Sequence, residues 1–216
     1  MLYQILKTFG VIRLLNLLKL KKAVSIVVLL GTLTSCWPPA QSLIAVISLT
    51  DPAKLATLEK RGANPRVNKV VYWLNASDEW HVPSKYVTYT ALFINGTHGD
   101  HGKLTAEMIL HNLKTARDLG LLTEKNQKKL KNGKAATITR GPYEGETVEI
   151  DHVIPVSIAP EIGNDFANLE MLPSSLNRSK SDQVGERQLT YAKKLLDAGV
   201  LNEDSYQKLR YKASRQ

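Results

Sequence analysis

Residues 148–182 read VEIDHVIPVSIAPEIGNDFANLEMLPSSLNRSKSD, and three short groups in this stretch carry side chains able to do chemistry. Asp151-His152 sets a carboxylate beside an imidazole, which titrates near neutrality and can take a proton from water. Asn168-Leu169 follows. Asn177 and Lys180 come last, at a spacing that places both on one face of a helix. Arg178 and Lys180, with Arg140 upstream, are candidates for contacts to phosphates, which position a polyanion without reading its sequence. Taken singly, these groups say little. Asp-His at a strand end is ordinarily a surface pair, and Asn168 and Asn177 would ordinarily be turn and cap residues. Their order and spacing together carry the reading.

The elements that must hold these residues follow from local pattern. The apolar, β-branched content of 148–153 predicts a strand, paired through the turn Gly141-Pro142-Tyr143-Glu144-Gly145 with residues 136–140. Residues 155–168 read as a long loop and 169–172 as a second strand, with Pro173 and Ser174 opening a helix. Upstream, 70–74 reads as a buried strand and 86–94, where aromatic and aliphatic residues alternate with threonine, as a half-buried one. A turn over 95–102 leads to an amphipathic helix over 105–119 that ends at Gly120, and Thr123 caps a second, short helix. LGLLTE at 119–124 is echoed by AGVLNE at 198–203, so two helical hairpins are expected, neither with a catalytic pattern. Residues 36–69, with Pro38, Pro39, Pro52, Pro65 and Gly62, read as a tether with at most one small packed element around the apolar run 43–49.

The pattern Asp151-His152, Asn168-Leu169, Asn177-Arg178-Ser179-Lys180, Ser181-Asp182 resembles the HNH nuclease family over about 35 residues. The resemblance implies an α+β fold: a ββα-metal (His-Me finger) nuclease core at about 136–182, flanked by helical hairpins, in a domain running from 70 to 216 with its C-terminal hairpin at 183–216. It implies hydrolysis of nucleic-acid phosphodiester bonds, DNA foremost, by an endonuclease. His152 would deprotonate water, and Asp151 with the Asn177 amide oxygen would hold one metal bridging a phosphate oxygen and the leaving 3′ oxygen. Oxygen ligands suit Mg²⁺, with Mn²⁺ able to substitute. Asn168 would hold the loop that aims the His152 backbone. Families with histidine at the Asn177 position tolerate zinc or nickel better, and this chain departs from them.

Charge supports a polyanionic partner by its placement more than by its total. The chain has a formal net charge of +9, but the first 35 residues contribute Lys7, Arg13, Lys19, Lys21 and Lys22 and no acid. Residues 111–140 hold eight cations against Asp118 and Glu124. Lys128, Lys129 and Lys131 are the candidates there for gripping a phosphate backbone, although a solvated helix face gives the same pattern. With no recognition helix or zinc finger evident, low sequence specificity is expected. His98, His101 and His111 form a loose set that no cysteine or fourth ligand completes, and they read as a solvated loop.

Residues 1–35 read as a secretory leader, with an uncharged apolar stretch at 23–35 too short for the roughly 20 residues of a span. Leu33-Thr34-Ser35-Cys36 resembles the bacterial lipobox, so Cys36, the single cysteine, is the expected lipidation site and a membrane surface of the cell envelope the expected location. Two alternatives stand beside this reading. One is an envelope module that binds nucleic acid without turnover. The other is a cytoplasmic enzyme whose first 35 residues are not a leader.

Overall fold

Helix α1 spans Pro38–Leu49 and the short α2 Pro52–Leu55, where Asp51 caps the first turn by accepting from the Ala53 amide. The computed structural model describes residues 37–215; the expected leader and Cys36 lie outside the described residues. By its contacts the chain divides after Gln41, and the unit that starts at Ser42 carries the candidate site.

Four helices follow: α3 (Asn64–Glu79), α4 (Ser84–Ile94), α5 (Gly99–Asp118) and α6 (Glu124–Lys131). Two of them correct the sequence-based expectation. The run 70–74 is not a strand but the middle of α3, because Val67, Val70, Val71 and Leu74 recur at helical spacing and are all buried, with Pro65 in the first turn. Residues 86–94 are likewise helical. Ser84, Val87, Thr88, Ala91 and Leu92 face inward while Tyr86, Tyr89 and Phe93 are exposed, so burial follows a period of 3.6 and not 2. The Thr88 hydroxyl donates to the Ser84 carbonyl one turn back, which removes the polar cost of burying it. Helix α5 starts at Gly99, absorbing half of the expected turn, and α6 is capped by the Thr123 hydroxyl as expected.

The expected tether is also corrected. Val46, Leu55 and Ala63 are buried in the same apolar cluster as α3, α4 and α5, so from residue 42 this segment belongs to the packed unit. Its prolines sit in the first turns of helices, where the missing N–H costs nothing.

After α6 the chain crosses an irregular hairpin and enters the motif; the strand expected at 136–140 does not form, and only an isolated bridge between Thr137 and Thr147 remains of that pairing. Strand β1 (Val148–His152) pairs antiparallel with β2 (Leu169–Pro173), and α7 (Ser174–Lys180) follows directly. Helices α8 (Glu186–Asp197) and α9 (Glu203–Ala213) close the chain as a hairpin. The fold is α+β: helix-rich, with one small two-stranded antiparallel sheet among the described residues. No helix among the described residues is long and apolar enough to cross a membrane.

The described residues form two apolar clusters. One gathers α3–α6 with Val148, Leu169 and Met171; the other gathers the loop after β1 with α8, α9 and Leu104 and Met108 of α5. The sheet is short because buried asparagines replace further strands. Asn112 of α5 donates to the Leu169 carbonyl (2.8 Å) and accepts from the Met171 amide (2.8 Å), satisfying the free edge of β2. Asn126 of α6 treats the Thr137 peptide the same way.

Candidate functional site

The pleat of the sheet sorts the motif onto two faces. Glu149 and Asp151 project to one side of β1, and antiparallel register places Leu172 and Glu170 of β2 directly opposite them. Helix α7 covers this face. Val148, Ile150 and His152 project to the other side, where Val148 and Ile150 pack in the cluster of α3–α6 and His152 meets the loop that joins the strands.

His152 is 3% exposed, and its Nε2 lies 2.8 Å from the Gly163 carbonyl. A carbonyl only accepts, so Nε2 carries the proton and the neutral ring has its lone pair on Nδ1. Burial holds the imidazole below its ordinary pKa, and the Arg61 and Lys180 charges add to that; the Gly163 hydrogen bond and Asp151 pull the other way. The net result is a ring that is neutral at neutral pH, a weaker base than a free imidazole but with its Nδ1 lone pair unprotonated.

The loop that presents Gly163 is held by Asn168. This side chain is fully buried; its Oδ1 accepts from the Ile154 amide (2.8 Å) and its Nδ2 donates to the Ile154 carbonyl (3.0 Å). The Val153 amide donates to the Asn168 carbonyl, so the chain leaving His152 is fastened by the residue that precedes β2. Asp165 tightens the same loop by accepting from the Ala167 amide, and its other oxygen meets His101 Nε2 at 2.8 Å. His101 is therefore not in a solvated loop, as the sequence suggested, but on α5 and half-buried against the site loop. Its hydrogen bond to Asp165 raises its pKa.

On the opposite face Glu146, in the hairpin before β1, accepts from the Ser175 amide (2.9 Å) and the Ser174 hydroxyl (3.2 Å), starting α7 where no side chain of its own caps it. Those hydrogen bonds hold the Glu146 carboxyl below its usual range. Helix α7 then delivers two motif residues to the strand. Asn177 Nδ2 donates to Glu149 (2.7 Å), and Lys180 Nζ donates to Asp151 Oδ2 (2.6 Å), to the His152 carbonyl and to Glu170 Oε1 (3.3 Å). Arg187 of α8 donates to the other oxygen of Glu170 at 2.5 Å.

Asp151, Asn177 and Lys180 thus share the face that α7 covers, Asn177 on Glu149 and Lys180 on Asp151, whereas the His152 ring and Asn168 lie with the loop that joins the strands. Arg178 shares α7 but is folded onto Ser174 of its own helix. The remaining candidates lie on other elements: Arg140 is exposed in the hairpin, Lys128 pairs with Glu124, Lys129 donates to Thr137, and Lys131 sits over the Tyr72 and Trp73 rings. Sequence reasoning missed Glu149, Glu170 and Gly163, and offered Arg187 only as a reserve cation for phosphate, not as a partner of Glu170. The alternation of 148–152 could have placed Glu149 beside Asp151, but Glu170 and Arg187 depend on strand register and on the packing of α8.

Among the described residues no three His, Cys, Asp or Glu side chains converge as a metal cluster. The oxygens of Asp151, Glu170 and the His152 carbonyl do converge on one cationic nitrogen, that of Lys180. These are hard donors, of the kind that suit Mg²⁺ with most of its waters retained. No family model, curated protein or solved structure matches the chain.

Proposed function

We propose that residues 136–182 form a ββα-metal core of the HNH type, and that the protein is an endonuclease hydrolysing nucleic-acid phosphodiester bonds, DNA foremost, with low sequence specificity. The observation that carries this reading is the setting of His152: a buried imidazole tied at Nε2 to a backbone carbonyl and kept neutral, next in the chain to Asp151, whose carboxylate lies on the face that carries the Asn177 amide and the Lys180 ammonium. A general base needs that tautomer and that protonation state before substrate arrives.

In the proposed reaction His152 Nδ1 takes a proton from water, the hydroxide oxygen bonds to phosphorus, and the bond from phosphorus to the 3′ oxygen breaks. The leaving oxygen takes its proton from solvent. Asp151 and Asn177 would hold one Mg²⁺, for which Mn²⁺ can substitute. When bound, such a cation offsets the charge growing on the phosphoryl and leaving oxygens. Asn168 and Gly163 keep the ring aimed, while Lys180, Arg178 and Arg140 contact phosphates. The same reading has Cys36 acylated and the domain held at a membrane surface of the cell envelope.

The test is incubation of the purified protein with supercoiled plasmid, with Mg²⁺ or with EDTA. Nicking that needs Mg²⁺ and disappears in His152→Ala, with duplex binding retained, is the expected result. Duplex binding without cleavage under every metal condition would instead make the protein a binding module. Wild-type turnover by His152→Ala would remove the base.

A further inference from the structure

Asp151 and Glu170 stand directly opposite each other on the two strands, on the face that α7 covers. Like charges at such a position destabilise a sheet unless something neutralises them. Here Glu170 is fully buried and Asp151 only 15% exposed, so solvent screens the pair poorly. Two cations do the neutralising, and they differ. Arg187 reaches Glu170 alone and is 60% exposed, whereas the Lys180 ammonium is 12% exposed and lies between the two carboxylates, with the His152 carbonyl as a third acceptor.

We infer that Lys180 is the internal counter-ion of the Asp151–Glu170 pair, and that it competes with the divalent cation for Asp151. The inference rests on the nuclease reading for the role of Asp151, and it adds a second state for Lys180. Without the cation, the ammonium keeps two facing carboxylates compatible with the sheet. With it, one of the oxygens that holds the ammonium is shared with a stronger positive charge, and repulsion between the two cations loosens Lys180. Arg187 keeps Glu170 neutralised in either state, so the sheet does not depend on Lys180 once a cation is present. The released ammonium is then available to a phosphate. Cation binding and phosphate binding are thereby coupled through one side chain.

The proposal has a readout independent of cleavage. Mn²⁺ binding to the full chain, followed by electron paramagnetic resonance, should be about fivefold tighter or more in Lys180→Gln than in wild type, the range of ordinary coupling between sites. Lys180→Arg, which keeps the charge, should stay near wild type. In EDTA the melting temperature of Lys180→Gln should fall, and saturating Mg²⁺ should raise it by more than it raises that of wild type. Should Lys180→Gln fail to fold, wild type alone decides the matter. Reductive methylation followed by peptide mapping should find Lys180 protected in EDTA and modified in Mg²⁺. If wild type cleaves and binds Mn²⁺ while Lys180→Gln binds no tighter, or if Lys180 labelling ignores Mg²⁺, this proposal fails and the nuclease reading stands. If neither protein binds Mn²⁺ nor cleaves, both fail together.

Discussion

Replacing Asn168 by alanine tests whether a single buried amide aims the base. The side chain is fully buried and makes its two best hydrogen bonds, at 2.8 and 3.0 Å, to the amide and carbonyl of Ile154, itself wholly buried. Truncation takes both partners from that peptide. Each buried polar group left unpaired costs about 1–3 kcal/mol, and water entering the space left behind offsets part of it, so a loss of about 2–4 kcal/mol is expected. Against a total of about 5–15 kcal/mol for a domain, the variant should fold but with a visibly lower urea midpoint. Ile154 lies two residues beyond His152, and Asn168 also reaches the Ile162 carbonyl beside Gly163, so the ring loses its seat at both ends. Displacement of this kind costs on the order of 100-fold in rate. Asn168→Asp should fare no better at neutral pH, because a carboxylate still accepts from the Ile154 amide but faces the Ile154 carbonyl as a second acceptor. Its stability, though not its cleavage rate, should partly recover on acidification, when the protonated acid can donate. The measurements are equilibrium unfolding in urea without metal and single-turnover plasmid cleavage. A stability change under about 0.5 kcal/mol, within the range of ordinary surface substitutions, or a wild-type rate in Asn168→Ala, would refute the argument.

Three further outcomes follow from other parts of the structure. The raised pKa of His101 makes the stabilisation it draws from Asp165 fully present below the ordinary imidazole value and lost as pH rises through the higher folded value. The melting temperature of wild type should therefore exceed that of His101→Gln in acid and converge with it as pH increases, and a gap that widens with pH would contradict the pairing. Replacing Lys128, Lys129 and Lys131 by glutamine should weaken binding to all duplex sequences alike and flatten the slope of log affinity on log salt by up to roughly 0.9 for each phosphate no longer neutralised. An unchanged slope would make α6 a solvated face. In a bacterial host the protein should incorporate radiolabelled palmitate and Cys36→Ser should not; a labelled serine variant would place the lipid elsewhere.

Local pattern sufficed for the motif region. Strand, loop, strand and helix over 148–180 could be read because β-branched runs, a Gly-Pro turn and Pro173-Ser174 are short-range signals, and the observed β1, β2 and α7 follow them closely. The Thr123 cap and the α8–α9 hairpin were legible for the same reason. Local pattern failed at 70–74 and 86–94, where short apolar or alternating runs fit either period and only the longer burial pattern along α3 and α4 separates them. It failed again at 42–69, where proline density suggested a tether although the prolines open helices that fill the core.

For the candidate site the division is sharper. Which residues carry a proton-accepting ring, a carboxylate, an amide and an ammonium is written in the order Asp151, His152, Asn168, Asn177, Lys180. What each of them touches is not. The Nε2–H tautomer of His152 exists because the loop folds Gly163 back onto the ring, and Glu170 faces Asp151 because antiparallel register puts it there. Lys180 lies between those carboxylates because Glu146 starts α7 where it does, and Arg187 reaches Glu170 from a helix in the next element along the chain. Charge state, tautomer and partner depend on distances across the fold, and a sequence records only distances along the chain.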